Sequence, residues 1–139
     1  MRGLGPKNYT RADERIREDV LRLLRFFRFY AHYGRPPPHA ESLAACAALA
    51  PLLPTLSAER VRAELLRLLE APDPAAVLRL MAECGVLAHF LPEARRFERL
   101  AALTALEAEH GADPIRRLAA VLRVDPAEGG PIARRLRLA

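Results

Sequence analysis

The stretch Glu18-Asp19-Val20-Leu21-Arg22-Leu23-Leu24-Arg25-Phe26-Phe27-Arg28-Phe29-Tyr30 decides the fold of this chain. It lies inside a predicted helix that runs from about residue 12 to residue 33. Gly34 is a natural C-terminal stop for that helix, and the Pro36-Pro37-Pro38 run prevents the chain from continuing it. The chain therefore begins its ordered part with one long helix.

The same stretch carries an unusual row of charges. Asp19, Arg22, Arg25 and Arg28 follow one another at an interval of three, and apolar residues fill every gap. Arginines held within an apolar segment are typical of phosphate or planar-ring binding, because the guanidinium is planar, permanently charged and rich in donors. We expect the four side chains to be held away from bulk water. The alternative is a set of i,i+3 ion pairs on a solvated face.

Proline, glycine and capping residues divide the rest of the chain into shorter helices. Ser57 is a favourable N-cap, while Asp73-Pro74 and Asp113-Pro114 each pair a capping carboxylate with a proline suited to the first helical turn. No segment alternates with the period of two that a strand requires. The sequence therefore predicts an all-α array of about seven short helices without a fixed repeat. The six further helices are predicted at 40–49, 58–69, 75–84, 93–110, 114–124 and 132–138, with Gly85 and Gly111 as stops and a loop at 125–130.

Composition and charge place the chain among folded proteins with an anionic partner. Its 139 residues are 51% apolar, enough for one modest domain with a core. The net charge of +5 is uneven, since residues 1–35 hold nine Lys/Arg and four Asp/Glu while the remainder balances at thirteen of each. We expect the positive field, and an anionic partner, at the first quarter of the chain.

The cysteines and histidines form no recognisable metal or catalytic pattern. Cys46 and Cys84 lie in apolar helical segments and are predicted to be free thiols, which indicates a reducing, cytoplasmic setting. No apolar run approaches the roughly 18 residues of a membrane span. The four histidines are scattered, and no glycine-rich phosphate loop or close pair of aspartates is present. A metal-dependent phosphoryl-transfer site needs clustered carboxylates, so we assign no catalytic residue and no metal ligand to this chain.

A second charged motif follows at Ser57-Ala58-Glu59-Arg60-Val61-Arg62-Ala63-Glu64-Leu65. Glu59, Arg60 and Glu64 could form a buried ionic clasp with another helix, although a surface i,i+4 network is the simpler interpretation of this motif alone. Together, Glu18-Asp19-x-x-Arg22 with its continuation and this second motif resemble, in order and spacing, two neighbouring motifs of the bacterial class II CCA-adding tRNA nucleotidyltransferases and their poly(A) polymerase relatives. The segments at 87–93 and 113–119 are similar to the body region of that family.

The resemblance implies a division of the chain and a role for each charged residue. Residues 1–10 would be an irregular segment, residues 11–70 the helical neck, and residues 71–139 part of a body region that is cut off mid-domain. Asp19 and Arg22 would recognise the base of CTP or ATP, and Arg25 and Arg28 would hold the nucleotide and its phosphates. Glu18, Glu59, Arg60 and Glu64 would support the neck.

The resemblance also implies partners that this chain does not contain. The family carries a catalytic head domain with a glycine-rich motif and paired aspartates for Mg²⁺, and it acts on the tRNA 3′ end. Neither motif is present here, so the chain is expected to be a fragment that selects nucleotides without transferring them. The sequence leaves two alternatives open, a non-catalytic helical module that binds RNA or protein and a helical scaffold without a ligand.

Overall fold

Seven α-helices follow one another along the residues that the computed structural model describes, 11–122 and 126–137. For residues 126–129 only the backbone is described. The predicted all-α array is confirmed, whereas the predicted irregular segment at 1–10 lies outside the described residues. The helices are α1 (Arg11–Tyr33), α2 (Ala40–Leu49), α3 (Ala58–Leu69), α4 (Pro74–Glu83), α5 (Phe97–Leu106), α6 (Pro114–Val121) and α7 (Pro126–Arg135).

Three short 3₁₀ segments connect these helices, at Ala50–Thr55, Leu87–His89 and Glu107–Glu109. The predicted caps are confirmed, because the side chains of Ser57, Asp73 and Asp113 accept hydrogen bonds from backbone N–H groups in the first turns of α3, α4 and α6. Gly85 and Gly111 have φ values of 82° and 83°, the left-handed conformation that glycine adopts without strain and that ends a helix.

Two predicted helix starts are wrong, and the fifth and sixth helices end earlier than predicted, at Leu106 and Val121. The fifth helix does not begin at residue 93, because the backbone N–H groups of Arg95 and Arg96 both donate to the carbonyl of Val121 at 3.0 Å and so hold that segment outside the helix. The last helix begins at Pro126 rather than Ile132, and it includes the glycines predicted as a loop. Glycine in a helix costs about 1 kcal/mol relative to alanine. The burial of Ile132 in the core offsets that cost.

The core forms around one face of α1. Its buried residues recur at the three- and four-residue spacing of a helical stripe, and the helix packs against α2, α3 and α4. The ring nitrogen Nε2 of His32 lies 2.8 Å from the backbone oxygen of Arg67, which ties the end of α1 to the end of α3. The apolar gaps in the charged row are therefore largely core positions. The buried residues of α1 are Val20, Leu21, Leu23, Leu24 and Phe27.

Both cysteines are free thiols, as predicted. Cys46 is the buried residue of α2 and lies in the core, and Cys84 is half-buried just after α4. Burial, with a smaller contribution from Cys84, raises the pKa of the Cys46 thiol to about 11. Cys46 therefore stays protonated and unreactive at neutral pH.

A buried arginine of α6, paired with a buried glutamate, joins the second half of the chain to the end of α3. Arg117 Nε donates to Glu107 Oε1 at 2.6 Å, and both side chains are about 5% exposed or less. Arg117 Nη1 also donates to the carbonyls of Leu69 and Ala71, at 2.6 and 2.7 Å. Because those carbonyls lie at the C-terminal end of α3, the guanidinium caps that end of the helix and meets its partial negative charge.

This cluster predicts an acid-sensitive fold. Burial pushes the pKa of Glu107 upward, but hydrogen bonds from Arg117 and Arg116 outweigh it and hold the pKa below its ordinary value. A lowered folded-state pKa contributes stability above the unfolded pKa of about 4.3, and this contribution is lost as the pH falls through the folded value. We expect Glu107→Gln to have a flatter profile of unfolding free energy below pH ~4.3 than the parent chain.

Urea titrations at pH 7, 4 and 3 measure this profile. The control is Glu109→Gln, which removes an exposed carboxylate two residues away and should leave the slope unchanged. A Glu107→Gln profile that is parallel to the parent profile would contradict the prediction.

Candidate nucleotide-binding site

Asp19 and Arg22 form an ion pair on the surface of α1. Arg22 Nη1 donates to Asp19 Oδ1 at 3.1 Å across one helical turn. The Arg22 side chain is 75% exposed and that of Asp19 is 39% exposed. An exposed pair of this kind contributes only about 0.2–1 kcal/mol to folding. The pair uses one oxygen of the carboxylate, so its second oxygen and further guanidinium N–H groups can meet a ligand.

The pair stands at the edge of a cleft of about 320 Å³ between α1 and α2. Leu23 and Phe26 of α1 form one side of this cleft. The other side comes from α2 and consists of Ser42, Ala45, Cys46 and Leu49. This volume is at the small end of the roughly 300–1,000 Å³ found for ligand clefts. A mostly apolar cleft with one acid and one arginine at its edge is suited to a flat ring with polar substituents.

The other two arginines of the row pair with Glu64 on α3. Arg28 Nε lies 2.7 Å from Glu64 Oε1, and Arg25 Nε donates to Glu64 Oε2 at 3.5 Å. The N–H of Arg28 is not aligned with its oxygen, so that contact is an ion pair rather than a hydrogen bond. Glu64 is buried, whereas Arg25 remains 57% exposed and Arg28 27% exposed.

The structure does not gather the four charges at one place. A step of three residues turns an α-helix back by about 60°, so three steps turn it by about 180°. Asp19 and Arg28 consequently point to opposite sides of α1. The expectation that all four side chains are held away from bulk water is wrong for Arg22 and Arg25, which are mostly exposed. The row splits into a pair at the α1–α2 cleft and a pair that meets α3.

The residues predicted to support the neck are also divided. Glu64 connects α1 and α3, as an interhelical clasp requires. Glu18 and Arg60 line a second cleft, where α1 meets the start of α3. Glu59 is exposed in the first turn of α3, where a carboxylate is favourable next to the helix dipole. Glu59 and Arg60 are thus exposed, and Glu64 is the buried member of the motif.

Sequence reasoning missed two features of functional interest. It did not foresee that α2 supplies one side of the cleft, and only the small side chains of Ala45 and its neighbours hint at a close approach. It also missed the buried pair of Glu107 and Arg117. A signal for that pair was present, because Arg117 directly precedes Leu118 and lies one turn before Val121, on the buried side of α6.

The Mg²⁺ that the resemblance implies does not fit the described residues. Within 11–122 and 126–137, no three His, Cys, Asp or Glu side chains come together as metal ligands. We therefore derive no step through a metal ion in this chain. The helices in the same ranges also include none with the length and hydropathy of a membrane span.

A family model and several curated proteins that are similar to this chain point to the same family. Residues 38–98 match the family described as the probable RNA and SrmB-binding site of polymerase A. A CCA-adding enzyme of Geobacillus thermodenitrificans (strain NG80-2) is 42% identical over 81 residues, which are 58% of this chain and 20% of the relative. The mitochondrial CCA tRNA nucleotidyltransferase 1 of Mus musculus is 40% identical over 80 residues, 56% of this chain and 18% of the relative. Part of this chain is therefore similar to a region of the CCA-adding enzymes and poly(A) polymerases.

The similarity covers only a small part of each relative. A CC-adding tRNA nucleotidyltransferase of Geobacter sulfurreducens (strain ATCC 51573 / DSM 12127 / PCA) is 41% identical over 68 residues, 49% of this chain and 16% of the relative. The matched region thus spans about a fifth of each of these curated relatives. The resemblance to the CCA-adding enzyme and poly(A) polymerase family, first made on the two charged motifs, is confirmed. Of those motifs, the family region at 38–98 contains the one at 57–65 and begins after the Asp19 row.

Proposed function

We propose that this chain selects CTP and ATP and contributes to RNA binding for nucleotide addition at the tRNA 3′ end. The observation that carries the proposal is the Asp19–Arg22 pair at the edge of the apolar α1–α2 cleft. Its family relatives are named as CCA-adding or CC-adding enzymes, which supports a substrate of this class. The tRNA 3′ end as partner and a cytoplasmic location belong to the same proposal.

Base recognition follows from the chemistry of the pair. Cytosine and adenine both present an exocyclic amino donor next to a ring-nitrogen acceptor. The Asp19 carboxylate would accept from the amino group, and the Arg22 guanidinium would donate to the ring nitrogen. Uracil and guanine place a carbonyl oxygen where the amino group should be. That oxygen would face Asp19, so these bases would be repelled as well as left without a hydrogen bond.

Arg25 and Arg28 would have different tasks in this mechanism. Arg25 is 57% exposed and 3.5 Å from Glu64, so it keeps N–H donors for the phosphates of a bound nucleotide. Arg28 is closer to Glu64 and less exposed, and it would mainly fix α1 against α3. The ion pairs with Glu64 would thereby hold the orientation of the helix that carries the base-recognising pair.

The transfer step itself is not assigned to this chain. It requires carboxylates that hold metal ions near the reacting phosphate. We infer that a catalytic head domain supplies them and that this chain presents the selected nucleotide. The division into a neck at 11–70 and part of a body at 71–139 also remains a prediction.

Nucleotide binding by Asp19→Asn tests the proposal. We expect the parent chain to bind CTP and ATP about 10-fold more tightly than UTP and GTP, the low end of the effect of one well-formed bidentate base contact. Asp19→Asn should reduce that preference to less than about threefold, because the amide can also donate to a carbonyl oxygen. Isothermal titration or ligand-observed NMR with each of the four nucleotides gives the ratio.

The matched control is Glu109→Gln, which removes one exposed carboxylate far along the chain. It should keep the preference of the parent chain. Equal binding of all four nucleotides by the parent would reject nucleotide selection and favour the RNA-binding module as the alternative. An absence of any nucleotide or RNA binding would favour the scaffold.

A further inference from the structure

The outer side of α5 and α6 exposes apolar side chains around an open groove of about 420 Å³ between the two helices. Leu106 lies at the end of α5 and is 75% exposed, which makes it the most exposed large apolar side chain in the described part of the chain. Contiguous exposed apolar surface usually marks a site of interaction with another protein. We call this surface the α5–α6 face, and it consists of Ala102, Leu103, Leu106, Ile115, Ala119 and Ala120.

Small side chains form much of the groove in the α5–α6 face. Ala102 lies on α5, and Ala119 and Ala120 lie on α6. Alanines at these positions leave a hollow between the helices, whereas Leu106 projects into solvent beside it. One molecule therefore carries both a projecting side chain and a hollow that can receive one. A surface with both features can meet a copy of itself through a two-fold axis, the commonest symmetry of protein dimers.

The charges along α5 have the order that such a pairing needs. Arg99, Ala102, Leu103 and Leu106 line the same groove at helical spacing, so they form one stripe along α5. Glu109 follows Leu106 by three residues, which is one turn of the 3₁₀ segment, and it continues the stripe. The stripe thus begins with an exposed arginine and ends with an exposed glutamate.

An antiparallel pair of α5 helices brings together opposite charges and complementary sizes. With the two-fold axis at the level of residue 104, Arg99 lies opposite Glu109 of the partner subunit, because both positions are equally far from the axis. By the same rule Leu106 lies opposite Ala102 of the partner subunit, so the projecting side chain meets the hollow. Opposite charges at the two ends of a helix pair favour one orientation and one register over the others.

We infer that the α5–α6 face binds a second copy of this chain in an antiparallel, two-fold symmetric dimer. The stripe is only about three helical turns long. The contact therefore belongs with the small interfaces, which bury less than about 1,200 Å² and bind weakly. We expect a dissociation constant on the order of 50 μM. At the lower concentrations of an unfolding titration the chain is then mostly a monomer, so Glu109→Gln remains a valid control there.

Leu106→Glu tests the apolar contact. Sedimentation equilibrium of the full chain, in reducing buffer and at concentrations from a tenth to ten times the expected dissociation constant, measures the association. The new carboxylate would be buried against an alanine, so we expect the dissociation constant to rise by about 10-fold or more. The matched control is Phe29→Glu, which places the same charge at a 64% exposed apolar position on α1. It should change the dissociation constant by no more than about threefold.

Charge reversal tests the antiparallel register. Arg99→Glu or Glu109→Arg alone places two pairs of like charges in the dimer, and each variant should weaken self-association by about 10-fold. In an equimolar mixture of the two variants, the heterodimer regains two pairs of opposite charges. We expect its dissociation constant to lie within about threefold of the parent value. A parallel pair would behave differently, because single reversals would not weaken it.

Three results would overturn the inference. A parent chain that stays monomeric over the whole concentration range would leave the α5–α6 face to a different protein. Equal losses in Leu106→Glu and Phe29→Glu would show that net charge or another surface controls the association. Single charge reversals that weaken the dimer without recovery in the mixture would show that Arg99 and Glu109 do not face each other. Ala102→Glu repeats the first test if Leu106→Glu does not fold.

Discussion

Replacing Arg117 by methionine is expected to destabilise the protein by about 3–5 kcal/mol. The change keeps an unbranched but shorter apolar side chain and removes the charge that meets Glu107 at 2.6 Å. It leaves one oxygen of a buried carboxylate, and the carbonyls of Leu69 and Ala71, without their donor. Buried polar groups without partners are costly because they have lost water as well. The loss is large against a total stability of roughly 5–15 kcal/mol.

Chemical unfolding in urea measures this effect, and the neighbouring arginine provides the control. Arg116 contacts the same carboxylate, but its side chain is 49% exposed. We expect Arg116→Met to cost only about 1 kcal/mol, close to the range of solvent-exposed ion pairs. Similar losses of unfolding free energy in the two variants would show that burial does not make the contact of Arg117 with Glu107 more stabilising than that of Arg116.

Truncation of Phe27 to alanine is expected to cost about 3–5 kcal/mol, the usual range for a fully buried phenylalanine. Phe27 is 0% exposed in the stripe of α1 that faces the core. Its ring packs edge-on against Phe26, with the ring centroids 5.1 Å apart. The truncation removes this contact and leaves a cavity where α1 meets the rest of the core.

Phe29 is a matched control on the same helix. It is the same residue type two positions later, but it is 64% exposed and contacts Tyr33 at a centroid distance of 5.1 Å. Phe29→Ala should change the unfolding free energy by less than about 0.5 kcal/mol, as is usual for surface positions. Thermal unfolding of both variants gives the comparison. A loss for Phe29→Ala as large as that for Phe27→Ala would mean that α1 is packed in a different rotation.

The helices were predictable where local signals act alone. The caps at Ser57, Asp73 and Asp113 satisfy N–H groups within one turn, so the sequence marks the start of each of those helices to within one residue. The boundary at residue 93 was not predictable in this way. The start of the fifth helix depends on the backbone carbonyl of Val121. That carbonyl lies far along the chain and accepts hydrogen bonds from the N–H groups of Arg95 and Arg96.

The residues of the candidate site remain a prediction, and the structure decides how they are grouped. The interval of three identifies Asp19, Arg22, Arg25 and Arg28 as a set. Geometry within one helix already places Asp19 and Arg28 on opposite sides. Which neighbour each side meets depends on the packing of α2 and α3. The charge balance over residues 36–139 likewise gave no sign that Arg79, Arg95, Arg96 and Arg99 line one cleft, because a sum of charges does not show where in space each charge lies.

The amino-acid sequence by itself determined the all-α class, most helix starts and the family that this region resembles, because caps, prolines and motif spacing act within a few residues. Only the tertiary structure decided that Glu64 meets Arg25 and Arg28, that Arg117 is buried on Glu107, and that four arginines from α4 and the α5 start share one cleft. The physical reason is that these groups are brought together by burial of the core. Burial depends on all the helices at once, so the order of residues marks which side of a helix is buried but not which partner that side meets.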